Sequence, residues 1–566
     1  MDRVKPQTGL HISLLGMGLY RLLRKRLHTR YVTAALATTV FLISYAVLSG
    51  NGVSTQRAVG MCLIYLFADV TGYAYDMLNA LGIVVLVLLW ENPFLLSYSG
   101  FVFSVMAVIA IGVGANVLLE WEHSWKRRQQ AGEETIKKTF FSRQKEGILV
   151  SFAIQLFTIP LVAYSYYEIP VYAMLINLFV LAVVNGLLGL TVLGVIVGMA
   201  FLPAGRVLFA PCGWMLDSYR FLCEVSLKIP GAQRITGKPA HMRIFWYYLG
   251  LGVFLLAIYA CARRNEKHKD CRETADLCVS RRKKRLQGIV FSCFIAFLLL
   301  FLLFPQKKSF EIDFLDVGQG DGIYLCTGGG TSMFIDGGST DVKQVGKYRI
   351  LPFLKAKGVS EISYWFVSHT DTDHVSGLKE VLVSGYRVEY LVFAKAVEKE
   401  AKTKELAELA RSHGTKVFYM QAGDTVRSKR AAMRCLYPKA ADKAEDINDR
   451  CLVLQFEEGD IRALFGGDIS TDVEEQLLRR RKWDKVLVFK ADHHGSRYAN
   501  AEALLKCIRP EITVASAGKD NRYGHPSPDA VQRIKESGSR FFCTIEGGRI
   551  RVRVIENKLV CETYVK

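Results

Sequence analysis

The 566-residue chain has 13 cysteines but no Cys-x-x-Cys pair and no regular spacing between them. That excludes a zinc ribbon and a disulfide framework, which need thiols at repeated intervals, and leaves most of these cysteines as buried thiols. It also lacks the arrangement of a cleavable signal peptide, because the basic run "RLLRKRLHTR" follows the first apolar stretch instead of preceding it. Acidic residues are outnumbered, 53 against 73 Lys and Arg, for a formal net charge of +20. An excess of that size can point to nucleic acid. Much of it, however, sits in short loops beside apolar runs, where its first role is to set membrane orientation.

What is present divides near residue 304. Before it, apolar stretches approach the roughly 20 residues that a bilayer crossing needs, as in "YVTAALATTVFLISYAVLSG" and "LQGIVFSCFIAFLLLFLLF". After it, alternating apolar positions and turn residues take over, over a length that suits one globular domain. The expected domains are therefore a polytopic membrane part, 1–304, and a soluble part, 305–566.

About ten spans are expected, near 8–23, 31–49, 58–73, 78–92, 100–120, 147–165, 170–185, 187–203, 243–262 and 287–304. The loops "RLLRKRLHTR", "WKRRQQAGEETIKKTFFSRQK" and "ARRNEKHKDCRETADLCVSRRKKR" carry the strongest positive charge, and the positive-inside rule puts all three in the cytoplasm. An even number of crossings must then separate the second loop from the third. As one helix, 170–203 would be about 50 Å long, well beyond a hydrocarbon core of about 30 Å, so two helices broken near "NGLLG" are expected. The last span then leaves the cytoplasm, and everything after Pro305 is expected on the outer face. In "CGWMLDSYRFLCEVSLKIPG", Met215, Leu216, Tyr219 and Leu222 recur at helical spacing, which fits a helix lying on the outer interface or an ordinary outer-loop helix. His11, Arg57, Asp69, Asp76 and Asn79 lie in or beside apolar runs. Ionisable groups there face a cavity or a partner, so they are candidates to line a pathway, with Arg57 pairing to Asp69 or Asp76 as the structural alternative.

The soluble part opens with a hairpin pattern, "FEIDFLDVGQGDGIYLCTGGGTSMFIDGG", which ends in an acidic turn. The strand "ISYWFV" leads into "SHTDTDHVSG", and later strands end in "RALFGGD", "KVLVFKADHHGS" and "ITVASAGKDNRYGHPSP". Separate strand ends thus deliver His369, Asp371, Asp373 and His374, then Asp468, then His494. Imidazole and carboxylate together bind divalent cations, and a bridging carboxylate is what two ions about 3.5–4 Å apart require.

"HTDTDH", "GGD" and "HHGS" resemble the motifs of the metallo-β-lactamase fold, an αββα sandwich with its metal site at one edge. Asp371 stands where that fold's HxHxDH motif has histidine, which hardens the site and makes Mn²⁺ or Mg²⁺ a competitor to Zn²⁺. No equivalent of the usual mid-domain histidine is evident; "INDRCLVL" occupies that region, and Asn448 or Asp449 is expected near the site. The resemblance implies two ions, His369, Asp371 and His494 on one, Asp373 and His374 on the other, Asp468 bridging, and a water activated by the cations as nucleophile. His525 is a candidate acid for the leaving oxygen or a group behind the ligands, with a turn or capping histidine as the plain alternative. His493 is either a ligand or an orienting group for His494. Lys490, Lys519 and Arg522 are candidates to hold phosphate oxygens.

The string "FLDVGQGDGIYL…FIDGG…SHTDTDHVSGL…NDRCLVL…LFGGDIS…DHHGS…NRYGHPSP" closely resembles the C-terminal domain of the ComEC family of bacterial competence proteins, over essentially the whole domain. "TGLHISLLGMGLYRLLRKR", "GVSTQRAVGM" and "DMLNALGIVVLVLLWENP" resemble that family's membrane segments. The resemblance implies a multi-pass protein of the cytoplasmic membrane that carries single-stranded DNA inward during natural transformation. It also implies an extracytoplasmic nuclease domain, with DNA, membrane lipids, other competence proteins and a second copy of itself as partners. Family members carry further N-terminal spans and a small OB-like domain, so a short N-terminus is expected here, and with it the alternative of a membrane-anchored phosphodiesterase that no longer conducts DNA. A binding module without catalysis fits less well, because a grip on phosphate needs cations in place of this cluster of carboxylates.

Overall fold

The structure is a computed structural model that describes residues 10–129, 140–267, 276–305, 308–440, 442, 446–556 and 558–565. The chain falls into two compact units, Met1–Phe304 and Pro305–Lys566.

The first unit is helical because its sequence is apolar over whole helix lengths, so that nearly every side chain can face lipid or a neighbouring helix while the backbone satisfies itself. Among the described residues, five helices are long and apolar enough to cross a bilayer: Tyr31–Leu48, Ser99–Trp125, Lys145–Tyr166, His241–Arg264 and Arg282–Leu302. Other expected spans fall on helices that do not meet both measures, among them Leu10–Lys25, Val53–Thr71 and Met77–Glu91. Local chemistry sets several ends. Gly72, at φ +81°, closes the helix that begins at Val53, and Asp76 caps the next by accepting from Asn79 N at 2.8 Å.

The expected break at "NGLLG" is absent. Ala173–Ala200 is one helix of 28 residues, and a second, Leu202–Lys228, runs through the stretch predicted to form a separate interfacial helix. A glycine inside a helix costs only about 1 kcal/mol, far less than stopping the backbone ladder in apolar surroundings. The chain turns instead at Phe201–Leu202–Pro203, where proline suits the first turn of the following helix. Close packing of the two helices depends on glycine: a Cβ on Gly205 would stand 2.5 Å from Gly198 Cα. At the other end, Glu168–Pro170 pairs antiparallel with Gln233–Ile235, and Thr236 N donates to Tyr167 O at 2.9 Å. The hairpin therefore returns to the side it started from and adds an even number of crossings, whatever its depth.

The structural alternative for Arg57, a pair with Asp69 or Asp76, does not form among the described residues. Arg57 is buried and donates through Nε to Ser104 Oγ at 2.7 Å and through Nη1 to Met61 Sδ at 3.5 Å, while Asp69 accepts from the Tyr20 hydroxyl at 2.7 Å. His11 lies on the first helix, with its side chain outside the described ones.

The second unit is an αββα sandwich. An eight-stranded sheet runs in the order Lys558–Thr563, Ile550–Ile555, Glu311–Phe314, Gly322–Cys326, Ser332–Asp336, Glu361–Phe366, Arg387–Ala394, Lys416–Met420. A seven-stranded sheet runs Arg540–Cys543, Ile512–Ala515, Val488–Lys490, Ile461–Phe465, Val453–Glu458, Ala431–Tyr437, Thr425–Ser428. Alternate residues of both sheets, such as Ile312, Phe314, Met333, Phe366, Met433, Phe456, Phe465 and Val488, form the core between them. The outer faces are covered by helices, through Leu378, Val381 and Leu406 on one side and Val473, Leu477 and Leu505 on the other.

In each sheet the strands at the middle are parallel, Ser332–Asp336 with Glu361–Phe366, and Ile461–Phe465 with Val488–Lys490 and Ile512–Ala515. Their carboxyl ends lie at common edges, where ligands bind in open sheets. Asp336, the 368–374 loop, Asp468, Lys490, His494 and Ser516 all follow such ends.

A candidate metal centre at the strand ends

Four buried side chains, Asp321, His374, Asp468 and His494, bring one ligand atom each to within 4.8 Å of one another. His374 Nε2 stands 3.3 Å and His494 Nε2 3.4 Å from Asp468 Oδ2, with His493 Nε2 at 4.0 Å. Asp373 Oδ2 is 3.8 Å from His494 Nε2.

Local backbone geometry aims these groups. His493 and His494 both hold left-handed conformations, φ +49° and +54°, which costs energy for side chains of this size and turns the two imidazoles out of the strand toward Asp468. His494 Nδ1 donates to Ser516 O at 2.9 Å, which leaves Nε2 as the free ligand nitrogen. His374 Nδ1 is likewise held by Asp336 Oδ2 at 3.0 Å, and Asp336 Oδ1 accepts from Ser368 N at 2.7 Å. The Asp321 loop can press against the histidine loop only because residue 320 is glycine: a Cβ there would stand 2.5 Å from Asp373 O, the atom that accepts from Asp321 N at 3.1 Å.

The charges oppose burial. Desolvation disfavours a charged His374, but the Asp468 and Asp336 carboxylates outweigh it and hold this imidazole well above its usual range. His494 is raised to about 9 in the same way, against burial, by Asp468 and Asp321. Burial works against the Asp468 carboxylate, and His494 and His374 more than offset it, holding the group well below its usual value. Asp373 is also lowered, to about 2, against burial, by the neighbouring His494 and His374 imidazoles. His369 and His525 go the other way, each to about 4, through burial first and then the neighbouring imidazoles.

The donor set fits a divalent cation. His494 Nε2 is buried, has no hydrogen-bond partner, and faces two carboxylate oxygens. Mixed carboxylate and imidazole suit Mn²⁺, Zn²⁺ and related ions. A cation among them would replace protons on His374 and His494.

The other predicted residues are spread around this group. His369 is buried with its ring centroid 4.0 Å from that of His374; its Nδ1 lies 3.1 Å from Ser368 Oγ and 3.4 Å from Cys451 Sγ, and its Nε2 lies 3.9 Å from Asp371 Oδ2. Asp371 is about one-third exposed and pairs with Lys402 at 3.1 Å, outside the four-residue group. The His525 ring lies 5.4 Å from that of His493 and 6.2 Å from that of His494. Asp449 braces the backbone beyond Asp468, accepting from Ser470 N at 3.0 Å, and Cys451, three residues from Asn448, meets His369. Lys519 is exposed, and Arg522, also exposed, donates to the Tyr523 hydroxyl at 2.6 Å.

Lys490 is the correction. It is 1% exposed, lies 2.5 Å from Asp321 Oδ2, and donates to Gly467 O at 3.2 Å, so its ammonium has no surface with which to meet a phosphate. As the last residue of a strand between two others, it points the same way as Val488, into the space between the sheets. Desolvation opposes its charge, but Asp321 and Asp468 hold it above its ordinary value. The reading by motif also missed Asp321 and Asp336. Each closes a strand or turn that was legible, "GQGDG" and "FIDGG", but neither carries an imidazole partner in sequence.

Residues 8–260 match the family described as competence protein. Over 96% of its length the chain is 25% identical to ComE operon protein 3 of Bacillus subtilis, covering 67% of that protein. It is 24% identical to recombination protein 2 of Haemophilus influenzae, over 98% of this chain and 68% of that one. Competence protein ComA of Neisseria gonorrhoeae is 27% identical over 44% of this chain and 32% of its own. The two sheets with helices on their outer faces form the αββα sandwich expected from the sequence. Among solved structures, the metallo-β-lactamase fold protein YhfI of Bacillus subtilis aligns over 43% of this chain and all of its own, at 11% identity and a TM-score of 0.31. CmlA, a diiron β-hydroxylase of Streptomyces venezuelae, aligns over 47% of this chain and 59% of its own, at 14% identity and a TM-score of 0.31.

Proposed function

We propose that this protein takes part in DNA uptake across the cytoplasmic membrane during natural transformation, and that its C-terminal unit is an extracytoplasmic, metal-dependent nuclease. The observation that carries the nuclease reading is the convergence of His374 and His494 on one oxygen of buried Asp468 at the carboxyl ends of parallel strands. Uptake is supported by the competence-family match and by relatives named for competence and recombination. The outer position rests on the charge of the loops, and it is compatible with a 173–228 hairpin that leaves the parity of crossings unchanged.

A cation bound here supplies Lewis acidity and lowers the pKa of water at the phosphodiester. The chain supplies the rest. Asp468 Oδ2, His374 Nε2 and His494 Nε2 would hold the ion, with Asp321 beside them. Ser516 O orients the His494 ring through Nδ1, and Asp373, 3.8 Å from Nε2, would stand beside the ion. His525, whose ring centroid lies 6.2 Å from that of His494, would serve as the acid for the leaving oxygen or as a group behind the ligands. Lys519 and Arg522, exposed and near His525 in the chain, would meet backbone phosphate. Asp371 and His369 border the site. Lipids, other competence proteins and a second copy remain the proposed partners beside DNA.

The test is full-length protein in detergent with labelled single- and double-stranded DNA under Mn²⁺, Mg²⁺ or Zn²⁺, with Asp468→Ala as control. Metal-dependent cleavage that disappears in the control is expected. Cleavage that survives it would sink the assignment.

A further inference from the structure

The two oxygens of Asp468 look out on different chemistry. Oδ2 has imidazole nitrogens of His374, His494 and His493 at 3.3, 3.4 and 4.0 Å. Oδ1 is buried, has no hydrogen-bond partner among the described residues, and has the Lys490 ammonium at 3.8 Å. In a dinuclear site a bridging carboxylate shares its oxygens between two ions about 3.5–4 Å apart, and each ion has its own protein ligands. Here one oxygen has the ligands and the other has a built-in cation.

We propose that Asp468 bridges a single divalent cation, on the Oδ2 side, to the Lys490 ammonium, on the Oδ1 side, so that Lys490 takes the place of the second ion that a dinuclear centre would hold. The inference rests on the metal-binding half of the function proposed above and deepens it, since it replaces the two-ion expectation with one ion and a lysine.

Three further observations agree. Lys490 is fixed: its strand is hydrogen-bonded on both sides, opposite Phe465 and Val514, and its Nζ is anchored by Asp321 at 2.5 Å and Gly467 O at 3.2 Å. It cannot swing out to make room. Asp371, which would belong to a second ion, pairs with Lys402 at 3.1 Å and lies outside the four-residue group. Finally, Asp321, Asp336 and Asp468 are three buried carboxylates, and isolated buried charge is costly, so a fixed ammonium lets the site exist with one ion bound.

The experiment is Mn²⁺ loading of the full-length protein in detergent, followed by metal content after gel filtration and by electron paramagnetic resonance. The parent should retain about one ion per chain, with the spectrum of isolated ions. Lys490→Met should admit a second ion and show an exchange-coupled pair, whereas Lys490→Arg, which keeps the cation, should stay at one. Two coupled ions in the parent would overturn the proposal, and so would a folded Lys490→Met that still holds one. If Lys490→Met does not fold, the parent and Lys490→Arg decide between the same two outcomes. A protein that retains no Mn²⁺ overturns this inference together with the metal-dependent nuclease; one isolated ion without DNA cleavage supports the inference while rejecting only the nuclease.

Discussion

Each unit of this chain buries a strong cation, and the two are met in different ways. In the helical unit Arg57 is held by a hydroxyl and a thioether, Ser104 and Met61, and among the described residues no carboxylate pairs with it. In the C-terminal unit Lys490 is met by Asp321 and faces Asp468, at the centre of a group of carboxylates and imidazoles. A cation solvated by neutral groups keeps its positive field, which a polyanion can feel. A cation neutralised by carboxylates instead lends its charge to a ligand shell. The same kind of burial thus serves two different electrostatic ends.

The largest effect should come from the ligand shell itself. Asp468→Ala is expected to lower DNA cleavage by more than the roughly 10–100-fold typical of groups behind metal ligands, and to lose bound Mn²⁺ on gel filtration. His369→Ala should fall within that 10–100-fold range, and Asp371→Ala, at a partly exposed group paired with Lys402, should fall lower still; rates measured at equal metal content order the three. A loss at Asp371 as large as at Asp468 would mean that the ligand shell extends to the exposed edge.

Removing the cations sharpens the contrast. Lys490→Met leaves Asp321 without its partner and should cost about 3–5 kcal/mol in the metal-free protein, while Arg57→Met forfeits hydrogen bonds of a charged group and should cost about 1.5–3 kcal/mol. Denaturation followed separately for the two units would read both, and equal costs would erase the distinction.

The smallest effect is a pH dependence. His494 is raised to about 9, so in the metal-free unit the stability it contributes is complete below its ordinary value of about 6.5 and is lost as pH rises through about 9. Mn²⁺ must displace that proton and the one on His374, so its affinity should rise with pH through about 9. Calorimetric titration across that range checks it, and a flat profile would remove His494 from the ligands.

Much of this was legible beforehand. The division near residue 304, the helical and αββα classes, and the convergence of His374, Asp468 and His494 follow from features that act locally: apolar content summed over a helix length, alternation along a strand, and ligand types at strand ends. Bilayer thickness argues for a break in 173–200, but glycines at 198 and 205 let two long helices pack as a hairpin. Asp321 was passed over because its partners lie 53, 147 and 173 residues away, at His374, Asp468 and His494.

The sequence by itself determined which solvent each half meets and which residues stand at strand ends, because hydropathy and strand period are properties of consecutive residues. Only the tertiary structure decided that Lys490 points inward. Strand register, not composition, sets which face a side chain takes, and the parallel pairing on both sides of Val488–Lys490 turned a lysine that looked free to hold phosphate into the buried partner of Asp321.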